Sequence, residues 1–262
     1  MNLTFAATLL LITAAPCAHR GDVAHAPENT LPAFALAVEK GAPMIEFDVH
    51  LSKDGRMVII HDDTVDRTTD GTGKVSDLTF DELRALDAGS WFDEKFKGTR
   101  IPTLRETLEA IPPHVLCNVH LKYADGVAPL AAALIKEMGR LDQCFLACDL
   151  DQAETAKAVV PEIKICNMSR QSGDRDAYAD STIAAGAEFI QVQKGKGLDG
   201  LAAQVARLHA AGVTVNYFGT EDPAEINVLA DAGVDFILTD DLELCQKTLA
   251  ERAETTAAPR GE

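Results

Sequence analysis

A chain of 262 residues with 47% apolar side chains can bury one large core or two small ones. Its 24 basic and 41 acidic residues give a formal net charge of -17. That charge repels phosphate backbones and anionic lipid, which excludes non-specific nucleic-acid binding but not one anionic ligand in a locally positive pocket. The six cysteines, Cys17, Cys117, Cys144, Cys148, Cys166 and Cys245, show no C-x-x-C spacing and read as buried thiols rather than a disulfide framework.

In chain order, the apolar start MNLTFAATLLLITAAPC admits two readings. Residues 1–18 are either a signal segment without a basic start, cleaved after Ala15, or the lead into a first strand that abuts His19. The first reading implies export and the second a cytoplasmic protein. No other stretch approaches the ~20 apolar residues of a membrane helix, so no stable membrane span is expected. Residues 30–40 predict a helix with Asn29 or Thr30 as cap, Pro32 near its start and Gly41 past its end. A strand over 44–49 follows. Residues 64–100, rich in Asp, Thr and Gly, break the rhythm and read as an insertion containing the helical DELRALDAG. From residue 115 onward, strands at 115–121, 143–148, 163–167, 188–192, 213–218 and 235–238 alternate with helices at 127–138, 152–160, 176–185, 198–211, 223–232 and 242–250. About eight such units in this length favour a closed β/α barrel of the TIM type, a single domain over 16–250 with a small insertion after its second strand. Residues 251–262 read as a flexible tail.

Polar groups gather where the strands end. His19 and Arg20 follow the first apolar run, Glu46 and Asp48 lie in MIEFDV, His61 ends MVII, and His120 and Lys122 end VLCNVHLK. Side chains two apart on a strand share a face, so Glu46 can point with Asp48, and His120 with Lys122. The C-terminal ends of barrel strands form the active-site face. Each pair alone would read as an ordinary surface pair. Together, two carboxylates with histidines and cations suit a hard divalent ion holding an anionic oxygen.

The strings AHRG, APENTLPAFALAVEKGA, IEFDVHLSKDGRMVIIHDDTVDRTTDGTG, VSDLTFDELRALDAGSWF and RIPTLRETLE resemble the glycerophosphodiester phosphodiesterase family. So does VNYFGTEDPAEINVLADAGVDFILTDDLEL near the end, and the match covers almost the whole chain. The resemblance implies a β/α barrel that hydrolyses small glycerophosphodiesters to glycerol 3-phosphate and an alcohol with one divalent ion. It implies His19 and His61 as the acid/base pair, Glu46 and Asp48 as metal ligands, and Arg20 and Lys122 as phosphate partners. Glu28 and Asn29 would support the site, and Phe218 would line the pocket where the family often has Trp.

One departure stands out. The family usually has Glu-x-Lys where this chain has His120-Leu121-Lys122. An imidazole ligand at His120 shifts preference from magnesium or calcium toward manganese or zinc. Alternative readings are a lysophospholipase D-type or other phosphodiesterase, and a non-catalytic barrel that binds a phosphate ligand. The head group, the division of acid and base between the histidines, a cyclic-phosphate intermediate and the oligomeric state stay open at this level.

Overall fold

A computed structural model of the chain describes residues 14–257, apart from 123 and 170–172. Eight parallel strands close on themselves: β1 (Ala15–His19), β2 (Met44–Leu51), β4 (Leu116–Leu121), β5 (Cys144–Cys148), β6 (Lys164–Asn167), β7 (Phe189–Gln193), β8 (Thr214–Phe218) and β9 (Phe236–Thr239). The ring closes through β1, which pairs with both β2 and β9. Pro16, which lacks an amide proton, sits where β1 has only β9 beside it, because pairing with β2 begins at Cys17. The leader reading falls mostly on residues 1–13, outside the described residues. No described helix is long and apolar enough to cross a membrane.

Each barrel strand is followed by a helix that covers its outer face. These are α1 (Leu31–Glu39), α3 (Leu104–Ala110), α4 (Val127–Glu137), α5 (Leu150–Val159), α6 (Arg175–Ala184), α7 (Leu201–Ala210), α8 (Pro223–Asp231) and α9 (Leu242–Ala257); α2 (Phe80–Ala85) belongs to the insertion. Capping boxes fix the starts of α2, α3 and α5 through Thr79–Glu82, Thr103–Glu106 and Asp149–Gln152. Outward-facing strand residues such as Ile45, Phe47, Val119 and Leu146 pack on the helices, while Met44, Phe145 and Cys166 fill the lumen. All six cysteines are buried free thiols.

Three expectations change. The last helix, expected over 242–250, continues to Ala257. The helical reading of DELRALDAG holds only to Ala85. The Asp87 carboxylate accepts from the amides of Gly89, Ser90 and Gly98, and those bonds favour a turn over another helical turn. Thr30, at the cap position of α1, donates its hydroxyl to Pro27 O instead of capping, and the Asn29 side chain points into the barrel rim.

Strand β3 (Met57–Ile59) is antiparallel to β2 and lies outside the ring. β2 runs past the barrel rim, turns at Ser52–Arg56, and β3 carries the chain back toward the rim, where the Ile60 amide donates to Asp48 O at 3.1 Å. The insertion then builds its own small core from Val58, Ile60, Val65, Val75, Leu83, Ala88 and Ile101.

Gly21 joins β1 to the loop before α1 at φ +91°, and a Cβ there would stand 2.7 Å from Ala33 Cβ and 2.8 Å from Ala33 C. The close approach is fixed by the Asp22 amide, which donates to Ala33 O at 3.0 Å. Gly21→Ala is therefore expected to destabilise the fold by about 1–3 kcal/mol, the range for a strained backbone position. A denaturant melt indistinguishable from wild type would contradict that close packing.

Candidate active site

Two buried carboxylates organise the barrel rim. Glu46 and Asp48 project from β2 into the lumen at 2% and 0% exposure. Such burial is costly unless each oxygen is satisfied. Asp48 accepts from Asn29 Nδ2 at 2.8 Å and from His120 Nδ1 at 3.0 Å and is ion-paired with Lys122 Nζ at 2.8 Å, while its own amide donates to Asn29 Oδ1 at 3.2 Å. Arg20 Nε faces its other side at 3.4 Å. Glu46 accepts from the Arg20 amide at 3.2 Å and lies 3.4 Å from His120 Nδ1 and 3.9 Å from His19 Nε2.

The strand register makes this clustering possible. His19 on β1 is aligned with Glu46, and Asp48 is aligned with His120 on β4. Arg20 and Asn29 both adopt left-handed backbone, at φ 59° and 56°. That conformation is costly for a side-chain-bearing residue and turns each toward the carboxylates.

Burial would raise the Asp48 pKa, but the His120 hydrogen bond and the charges of His120 and Lys122 hold it well below the usual carboxylate range. Burial disfavours the charged form of His120, yet hydrogen bonds to Asp48 and Glu46 outweigh it and its pKa is pushed up to about 9. One donor each from Glu46, Asp48 and His120 lies within 4.8 Å of the others. Two carboxylate oxygens and an imidazole nitrogen at that spacing fit one divalent ion.

The other two histidines are held alike. His19 Nδ1 donates to Asp240 Oδ1 at 2.6 Å, and His61 Nδ1 donates to Asp62 Oδ1 at 2.6 Å. With Nδ1 engaged, Nε2 is the nitrogen left to exchange a proton. Burial alone would lower the His19 pKa, but the Asp240 hydrogen bond and the Glu46 charge raise it. Phe218, at the end of β8, meets the His19 ring edge-on at 5.0 Å between centroids. His61 reaches the rim through the β3 hairpin, and His50 Nε2 donates to its carbonyl at 3.1 Å. Glu28 accepts from Arg20 Nη1 at 2.9 Å.

Sequence reasoning missed Asp62, Asp240 and Arg67. Asp62 adjoins His61, and Asp240 stands just past β9, where the strand-end rule that picked out His19 would have found it. Arg67 carried no local signal. Beside the cluster opens a cleft of about 360 Å³ whose walls include Arg20, Glu28, Trp91, Phe92 and Asp240.

The sequence model of the glycerophosphoryl diester phosphodiesterase family matches residues 19–244. A glycerophosphodiester phosphodiesterase of Bacillus altitudinis is 31% identical over 230 residues, covering 85% of this chain and 93% of its own. One from Caldanaerobacter subterraneus is 56% identical over 106 residues, 40% of this chain, and the match spans only 44% of that relative's length. Among solved structures, a glycerophosphodiester phosphodiesterase from Agrobacterium tumefaciens superposes with a TM-score of 0.77 at 30% identity, over 89% of this chain and 99% of its own. An Oleispira antarctica phosphodiesterase in complex with the product sn-glycerol-3-phosphate superposes with a TM-score of 0.77 at 29% identity, over 91% and 97%.

Proposed function

This chain belongs to the glycerophosphoryl diester phosphodiesterase family, and from that premise we propose that it hydrolyses glycerophosphodiesters to glycerol 3-phosphate and an alcohol by histidine acid/base catalysis. The observation that carries this reading is the pair of imidazoles, each held at Nδ1 by a carboxylate, on the rim that also bears the buried Glu46–Asp48–His120 cluster. Glu46, Asp48 and His120 would hold one divalent ion. When bound, that ion supplies positive charge to polarise a phosphate oxygen. The carboxylates suit magnesium or calcium, and the His120 nitrogen favours manganese or zinc.

The protein's own groups do the rest. Arg20 and Lys122 flank Asp48 and bring positive charge to the phosphate. One of His19 and His61 accepts the nucleophile's proton through Nε2, and the other protonates the leaving alcohol. Asn29 locks the Asp48 carboxylate and Glu28 aims Arg20. Phe218 gives the site an apolar wall beside His19. The product complex of the Oleispira relative supports a small phosphodiester substrate.

The test is release of glycerol 3-phosphate from glycerophosphocholine, glycerophosphoethanolamine and glycerophosphoinositol, with a lysophospholipid alongside, before and after chelation. Failure to cleave any of the three glycerophosphodiesters with added metal would sink the proposal. Lys122 adds a narrower expectation. On the reading that Lys122, paired with Asp48, meets the phosphate, Lys122→Met should lower kcat/KM by a similar factor on every substrate, on the order of 10²-fold. A loss confined to one head group would put Lys122 among the groups that recognise the alcohol.

A further inference from the structure

We infer that Arg67 is a positioning residue, a single guanidinium in the insertion that fixes both the histidine after β3 and the phosphate-facing arginine of the barrel. This rests on the reading above that His61 exchanges a proton and Arg20 meets the phosphate.

The geometry is a fork closed on two carboxylates. Arg67 Nε and Nη2 donate to Asp62 at 2.6 and 3.0 Å. Its Nη1 and Nη2 donate to Glu28 at 2.7 and 2.8 Å. Each carboxylate then holds one of the groups at work. Asp62 accepts from His61 Nδ1, and Glu28 accepts from Arg20 Nη1. The line runs from His61 through Asp62, Arg67 and Glu28 to Arg20, and ends against Asp48. Arg67 is five residues from Asp62 but 39 from Glu28, so it ties the insertion to the loop after β1.

Exposed ion pairs usually contribute little. This one differs in three ways. The Glu28 side chain is only 12% exposed and that of Asp62 30%, against 44% for Arg67 itself. Both contacts are bidentate, which fixes orientation as well as distance. And the same plane separates two carboxylates that would otherwise repel. Without Arg67, Asp62 keeps only His61, among the described residues, to orient it, and both can swing. Glu28 is then left to Arg20 alone, which pulls the guanidinium away from the phosphate. A lysine restores one charge but cannot direct four bonds in a plane, so the role is geometric rather than purely electrostatic.

The experiment measures steady-state turnover of glycerophosphocholine by the full chain and by Arg67→Lys, Arg67→Ala, Asp62→Asn, Glu28→Gln and the doubles with Arg67→Ala, each with a thermal melt. Arg67→Lys should melt near wild type yet lose ~10- to 100-fold in kcat, the scale of a misplaced catalytic group. Guanidinium added to Arg67→Ala, at concentrations too low to denature, should restore part of kcat. Each double should lose little more than its worse single, because the three residues act as one unit. Wild-type kcat in Arg67→Lys, additive losses in the doubles, or no response to guanidinium would each overturn the inference. Should Arg67→Ala fail to fold, the Arg67→Lys arm decides alone. A wild type without turnover removes the proposed function, and this inference with it; an active wild type with an unimpaired Arg67→Lys removes only the latter.

Discussion

Replacing His19 or His61 by alanine is expected to lower turnover ~10²–10⁴-fold while leaving the fold intact, the usual loss when a positioned acid or base is removed. The size follows from the way each ring is held. A carboxylate at 2.6 Å from Nδ1 fixes tautomer and orientation, which leaves Nε2 as the nitrogen that would exchange the proton in the proposed reaction. The fold should survive because neither deletion strands a buried charge. Asp240, the partner of His19, has 57% of its side chain exposed, and Asp62 keeps its two bonds to Arg67. The measurement is kcat on a glycerophosphodiester beside a thermal melt of each variant. A folded variant that turns over at the wild-type rate would remove that histidine from the chemistry.

The second large effect concerns metal binding and pH. In the metal-free site the His120 imidazole, pushed up to about 9 by Asp48 and Glu46, carries a proton at neutral pH. A protonated imidazole cannot ligate, so an ion that uses His120 must displace that proton. The sign follows. Affinity rises with pH by ~10-fold per unit up to about pH 9 and then levels off, and close to one proton is released per ion at pH 7. Asp48, held well below the carboxylate range, adds no proton release in this window. His120→Glu should abolish the proton release and move preference from manganese or zinc toward magnesium or calcium. His120→Ala should weaken binding of every ion. Calorimetric titration with manganese and magnesium, repeated in buffers of different ionisation enthalpy, counts the protons. Unchanged affinity for both ions in His120→Ala would leave His120 as a hydrogen-bonding neighbour of a two-carboxylate site.

The sequence by itself determined the barrel, because its evidence is local. Strand and helix alternate with periods that short windows reveal, and a two-residue period on one strand puts Glu46 with Asp48 and His120 with Lys122 wherever that strand goes. The departure at His120 was likewise a matter of reading three residues in a strand end. What only the tertiary structure decided is which polar group satisfies which. Asp240 meets His19 across 221 positions of sequence, and Arg67 meets Glu28 across 39. Asn29, a plausible helix cap by its place, turns instead into the rim to hold Asp48, where an unsatisfied buried carboxylate would be costly. The β3 hairpin, which brings His61 back to the rim, also reads locally as one more strand end; its antiparallel course is fixed by its pairing with β2. Periodicity fixes which face a side chain takes, whereas its partner is chosen by proximity in the folded chain, and that choice sets the orientation of both histidines.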